Sequence, residues 1–207
     1  NLALESMLTH TQGLRSLSLC CSVGLVEDIA MAAVLSGLKK NTTLRELTLK
    51  FSRGAPIVSP ILTSLRNHPL LQRLCLCYGV DLTGLEPLLL SDKSKITELD
   101  IYRTSFRGPV MGLMPVSQAL AHRSTLIKLG LHGCHLDRDE ARQLWVVLRE
   151  ISSLQSLDLR RNDLWSTGLA ELAPALYHNT SIKELDISYD RLVAMESAEI
   201  LRDILRS

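Results

Sequence analysis

Apolar residues recur along the chain in one short phrase, Leu-x-x-Leu-x-Leu, with a further apolar residue usually five positions on. The phrase opens at Leu14, Leu44, Leu71, Ile96, Leu126, Leu154 and Ile182, at intervals of 25 to 30 residues. Apolar residues alternating with others over so short a run predict a β-strand with one face turned inward. Six residues before each opening stands a leucine: Leu8, Leu38, Leu65, Leu90, Leu120, Leu148 and Leu176. Four residues earlier an apolar side chain recurs as Leu4, Val34, Ile61, Val116, Leu144 and Leu172, with Glu86 the one departure. Four residues make about one helical turn, so each repeat pairs a strand with an amphipathic helix. Seven parallel strands are expected, centred on Leu17, Leu47, Leu74, Leu99, Leu129, Leu157 and Leu185, with helices containing Leu38, Leu65, Leu120, Leu148 and Leu176.

One such unit has too little apolar surface to bury its own leucines, whereas stacked neighbours share a continuous core. The clearest copies are LQSLDLRRNDL from Leu154, LIKLGLHGCHL from Leu126 and IKELDISYDRL from Ile182. They resemble leucine-rich repeats, and a repeat near 28 residues with a helical return is similar to the ribonuclease-inhibitor-like class found in NOD-like receptors, RanGAP and tropomodulin. The resemblance covers the whole chain. It implies an α/β leucine-rich-repeat solenoid, a horseshoe arc with a concave parallel sheet of seven strands and convex helices. Residues 1–207 are expected to form a single domain of about seven repeats. The chain starts within one helical pattern (Leu4, Leu8) and stops within another (Ile200, Leu201, Ile204, Leu205), with no polar capping module, which is read as a segment of a longer protein or a chain whose ends something else covers.

The copies are not uniform. The ninth position, which the family fills with Asn or Cys to bond the turning backbone, reads Ser22, Ser52, Gly79, Thr104, Cys134, Asn162 and Asp190. Gly79 has no group to offer, and its repeat carries Pro87 where a helix belongs, so irregular structure is expected between Gly79 and Ser94. Phe106 to Pro115 reads as a loop before a helix beginning near Val116.

Composition narrows the function. Leucine supplies 43 of 207 residues and aromatics only 4%, so the core is aliphatic. With 23 basic against 22 acidic side chains, the chain has no excess charge for phosphates, which argues against nucleic acid. The longest apolar run, Ile29 to Leu35, is too short for membrane insertion, and no targeting segment is visible. An odd five cysteines without regular spacing fit free thiols in a cytoplasmic, reducing setting.

No catalytic motif appears: there is no GxSxG, no phosphate loop and no HExxH, so no enzymatic activity and no cofactor is expected. His132, Cys134 and His135 invite a metal, but His132 belongs to the outward column and Cys134 to the inward turn. Cys20 and Cys21 are separated from Cys75 and Cys77 by a whole strand, too far for four thiolates on one zinc. No metal site is therefore expected. His10, His68, His122 and His178 fall at helix ends, where imidazole can meet the last carbonyls. Asn41 and Asn179 match glycosylation acceptors but occupy the helix-to-strand corner, where they are read as left-handed turn residues.

What remains is the face opposite the leucines. Its third position alternates in charge, so Glu46 is expected to pair with Arg73 and Glu98 with Lys128. Its seventh and eighth positions hold Phe51, Tyr78, Tyr102 and Tyr189 out of six Phe and Tyr in the chain, together with Arg103, Arg160 and Arg161. Tyrosine and arginine are the usual energetic anchors of interfaces. The expected function is non-enzymatic protein recognition, with Tyr78, Tyr102, Arg103, Arg160, Arg161 and Tyr189 meeting a protein partner. Gly130 and Gly133, between larger neighbours, suggest a notch where Arg103 and Arg161 take an anionic side chain. The competing arrangement folds both arginines onto Asp158 and Asp100. The resemblance also permits a RanGAP-type GTPase-activating protein, and a structural spacer is the third reading.

Overall fold

A computed structural model of the chain describes residues 2–11, 13–21, 28–51, 58–78, 82, 84–104, 113, 117, 119–121 and 125–189. Helix α1 (Leu2–His10) leads into β1 (Ser16–Cys21), α2 (Asp28–Lys40), β2 (Glu46–Phe51), α3 (Val58–Ser64), β3 (Arg73–Cys77), α4 (Leu85–Leu89) and β4 (Glu98–Tyr102). Strand β5 (Lys128–His132), α5 (Arg138–Leu148), β6 (Ser156–Asp158), α6 (Trp165–Tyr177) and β7 (Glu184–Asp186) follow. The seven strands form one sheet in chain order, parallel as the phrase predicts. Two compact units divide the chain, residues 1–99 and 100–207.

In the first unit Leu17, Leu47 and Leu74 stand in register, as do Leu19, Leu49 and Leu76. Because alternate strand residues share a face, these rows put every phrase leucine of β2 and β3 into a fully buried layer. Helices α2 and α3 cover it with Leu38, Val58, Ile61 and Leu62. Leu65 is buried too, but it lies one residue past the end of α3. The expectation of irregular structure from Gly79 to Ser94 is corrected in part, since α4 forms there. Pro87 sits in the first turn of α4, where its missing N–H would have no intrahelical partner.

In the second unit Leu129, Leu157 and Leu185 share one row. Helix α5 begins with a reciprocal cap: Asp137 accepts from the backbone of Asp139 and Glu140, and the Glu140 carboxylate accepts from the Asp137 N–H at 2.8 Å. Trp145 is buried against α6, its indole donating to the Gly168 carbonyl at 3.0 Å. Residues 119–121 are helical, with Leu120 buried. The rest of the Phe106–Pro115 insert beyond Leu113, the helix start at Val116, and the pattern from Ile200 to Leu205 lie outside the described residues.

The helix-to-strand corners repeat one device. Asn41 accepts from the N–H groups of Thr43 and Leu44 and donates to the Leu8 carbonyl of the preceding repeat at 2.7 Å. Asn179 does the same with Ser181, Ile182, Leu148 and Ile151. His68 fills the slot in the third repeat, its Nδ1 accepting from Leu71 at 3.1 Å. Burial pushes the His68 pKa down, opposed by the Asn41 carbonyl. Neither asparagine has the left-handed backbone expected of it; that conformation belongs to the other end of the strands.

Candidate functional site

Just past the strands, the eighth residue of five repeats is left-handed: Tyr78 (φ 69), Arg103 (φ 50), Gly133 (φ 60), Arg161 (φ 56) and Tyr189 (φ 61). For Arg103, Gly133 and Arg161 the cause is the residue that follows. Thr104, Cys134 and Asn162 are buried, and the chain must reverse its sense by one residue to turn them inward. Once inside, Asn162 accepts from the N–H groups of Cys134 and Leu136 and donates to the carbonyls of Leu131 and Leu159. Cys134 donates its thiol to the Ile101 carbonyl at 3.2 Å, and burial pushes its pKa up to about 12. It is therefore a protonated structural thiol at neutral pH, pointing away from the exposed His135, which faces Asp163 at 3.2 Å.

The left-handed residues still donate to the next strand, Arg103 N–H to the His132 carbonyl, Gly133 to Arg160 and Arg161 to Ser188. Their side chains are thrown outward: Tyr189 is 75% exposed and Tyr78 45%. A non-glycine residue at positive φ costs roughly 1 kcal/mol or more, a strain held by the surrounding structure.

On the second unit these side chains form a connected surface. The Tyr102 and His132 rings lie 5.3 Å apart. Arg160 grips Asp158 through two nitrogens, the shorter contact 2.6 Å, and reaches Asp186 at 3.2 Å. Partial burial opposes ionisation of Asp158, but the Arg160 bonds outweigh it and hold its pKa below the usual range. The same bonds raise Arg160 above its ordinary value. The Arg161 guanidinium lies 5.1 Å from the centre of the Tyr189 ring, a cation–π contact. Burial lowers the His132 pKa, Asp158 opposes, and Arg160, Arg161 and Arg103 add to the lowering.

The two glycines differ. A side chain on Gly130 would run into the Asp100 carboxylate, so that space is filled. A Cβ on Gly133 would lie 3.6 Å from Arg103 Cγ and 3.9 Å from Arg161 Cβ, so the two arginines flank it. Asp158 is engaged by Arg160 rather than by Arg103 or Arg161. Tyr78 stands on the first unit. There the third-position expectation is also revised, because Arg73 bonds both Glu46, at 3.4 Å, and Glu98, at 2.7 Å. His132, not among the residues expected in the site, stands in the same column as Tyr102 and Arg160 and packs against the Tyr102 ring. The side chain of Phe51 lies outside the described residues.

No protein-family model matches the chain, and no curated protein does. Solved structures are similar to it at low identity. The actin-binding site 2 of leiomodin-1 is 17% identical, with a TM-score of 0.51 over 60% of this chain and 72% of that one. A Bacteroides fragilis protein is 14% identical, with a TM-score of 0.59 over 97% of this chain and 67% of that one. An internalin from Listeria monocytogenes is 15% identical, with a TM-score of 0.52 over 96% of this chain and 61% of that one, so the chain spans less than two thirds of its length. Together with the seven parallel strands and their buried leucine rows, these likenesses establish an α/β leucine-rich-repeat fold. Among the described residues no helix is long and apolar enough to cross a membrane.

Proposed function

We propose that the chain is a non-enzymatic, intracellular recognition module, a single ribonuclease-inhibitor-like repeat domain that binds a protein partner on the leucine-free face of its sheet. The observation that carries this reading is the Arg161–Tyr189 stack, a cation and a ring held together on a strained backbone at the surface. Aromatic and arginine side chains fixed in place lose little entropy on binding and dominate interface energetics. Tyr102, Arg103 and Arg160 extend the contact on the second unit, and Tyr78 serves on the first. An anionic side chain of the partner enters over Gly133, between Arg103 and Arg161, with Asp100 closing the Gly130 side. That leiomodin-1 and an internalin share the fold supports recognition as the class of function.

The test is affinity capture followed by substitution. Tyr189→Ala and Arg161→Ala, in variants that melt like the parent, are expected to weaken binding of the captured partner at least tenfold each. Unchanged affinity in both overturns the assignment of this face. The spacer reading is favoured by one observation, the mutual satisfaction of Asp158, Arg160 and Asp186. It predicts that no partner is lost from any outward substitution. Faster GTP hydrolysis by a small GTPase in the presence of the chain would instead support the RanGAP-type reading.

A further inference from the structure

The first unit offers a different chemistry on the same face. Cys75 and Cys77 are two residues apart on β3, so both side chains leave the sheet on one side, and their Sγ atoms stand 3.6 Å apart. Cys75 is half-buried and Cys77 only 5% exposed. A direct S–S bond suits them poorly. Two residues of extended strand separate their Cα atoms by about 6.6 Å, the long end of what a disulfide accepts. The strand cannot shorten easily, because Leu74 and Leu76 lock it in register against Leu47 and Leu49. One atom shared between the sulfurs fits better: with sulfur–metal bonds of about 2.3 Å, a 3.6 Å separation subtends roughly 100° at a bound ion. A two-coordinate ion prefers its two bonds near-linear, spanning roughly 4.6 Å, so rotation of the Cys75 side chain must lengthen the separation on binding.

We propose that Cys75 and Cys77 form a two-thiolate site for Cu(I). Thiolate pairs select soft ions, which leaves copper, zinc and iron–sulfur chemistry to choose among. Structural zinc and iron–sulfur clusters take four protein ligands and catalytic zinc takes three. Among the described residues no three Cys, His, Asp or Glu side chains gather to hold a metal. Cys20 shares the column of Cys77, but Lys50 stands between them in register, placing the two cysteines two strand spacings apart, about 9.6 Å. Cu(I) is satisfied by two thiolates. The resulting group carries one net negative charge, and Lys50, opposite Cys77, supplies the compensating cation.

Loading breaks two S–H bonds and forms two S–Cu bonds. Two protons pass to solvent and copper keeps its oxidation state, so affinity rises with pH. This site does not depend on the Arg161–Tyr189 surface, and the loss of one leaves the other intact.

The test is anaerobic titration of the reduced full chain with Cu(I) in competition with a chromogenic Cu(I) chelator. One copper per chain is expected, with release of two protons. Cys75→Ser and Cys77→Ser are each expected to lower affinity at least 100-fold, Lys50→Gln by several fold, and Cys20→Ser and Cys134→Ser not at all. Should Cys77→Ser fail to fold, the half-buried Cys75→Ser carries the test alone. Copper capture undiminished in Cys75→Ser, or lost in Cys20→Ser, overturns the site.

Discussion

On β3 the outward fifth and seventh positions are Cys75 and Cys77, whereas on β6 the fifth is Asp158 and the seventh, just past the strand, is Arg160. The spacing along the chain is the same, and the outcomes are a sulfur–sulfur contact of 3.6 Å and a two-nitrogen ion pair with contacts of 2.6 to 3.1 Å. Backbone geometry thus brings the two side chains within reach in both units, and their identity alone decides what they do there. In the first unit the pair is soft and neutral until deprotonated. In the second it is charged at every pH between the two lowered and raised pKa values, and it draws in Asp186 as well.

The comparison rests first on a shared leucine frame, and the hardest way to break it is to remove that frame. Leu157→Ala and Leu47→Ala each take a buried side chain from between two neighbouring strands. Each is expected to cost about 2–5 kcal/mol in urea melts, from lost burial and the cavity left behind. Ser156→Ala, on the other face, should stay within about 0.5 kcal/mol of the parent. A Leu157→Ala variant as stable as Ser156→Ala would invalidate the assignment of faces.

Asn162→Ala probes what is particular to the second unit. It strands two buried N–H groups and two carbonyls, and a loss of about 1–3 kcal/mol is expected in the same melts. Altered quenching of Tyr189 in that variant, through loss of its Arg161 stack, would show that the outward throw of Arg161 depends on the inward bond of Asn162.

His68→Asn sharpens the contrast by pH. Its folded pKa is lowered by burial from an ordinary 6.5, so the unfolded chain takes the proton first. The contribution is present above pH 6.5 and is lost as the pH falls through the folded value. Since Asn41 and Asn179 do the same work without titrating, His68→Asn should keep neutral-pH stability and lose less on acidification below 6.5 than the parent does. Parallel acid limbs in the two proteins would remove His68 as the cause.

The smallest effect concerns the helices. Glu171 accepts from both Arg142 and Arg138, which lowers its pKa to about 2, yet the group is exposed. Glu171→Gln should therefore change the midpoint little. A larger loss would mean that the α5–α6 contact carries more of the second unit than its buried Trp145 does.

The strands, their register and the buried leucine rows were legible because their period is local and repeated seven times. The corner at Asn41, His68 and Asn179 was half legible: the residue types announced a turn, but only the structure shows the acceptor bonding forward while the donor reaches back a whole repeat. Helix α4 was missed because Pro87 reads as a breaker unless its place in the first turn is known. For the candidate surface, the columns named Tyr102, Arg160, Arg161 and Tyr189. They could not say which acid each arginine would choose, since rotamer and neighbour decide that. Asp100 filling the Gly130 space and Arg73 reaching both Glu46 and Glu98 are choices of that kind.

The left-handed eighth residue has a further consequence. Tyr78, Arg103, Gly133, Arg161 and Tyr189 share one backbone conformation although one of them has no side chain at all. The path of the chain at this point is therefore indifferent to what it displays, and the surface can be rewritten without redrawing the turn. Yet the turn itself prefers glycine, by roughly 1 kcal/mol per position. Glycine substituted for the tyrosine or arginine at these four places is therefore expected to make the chain sturdier while leaving its surface blank.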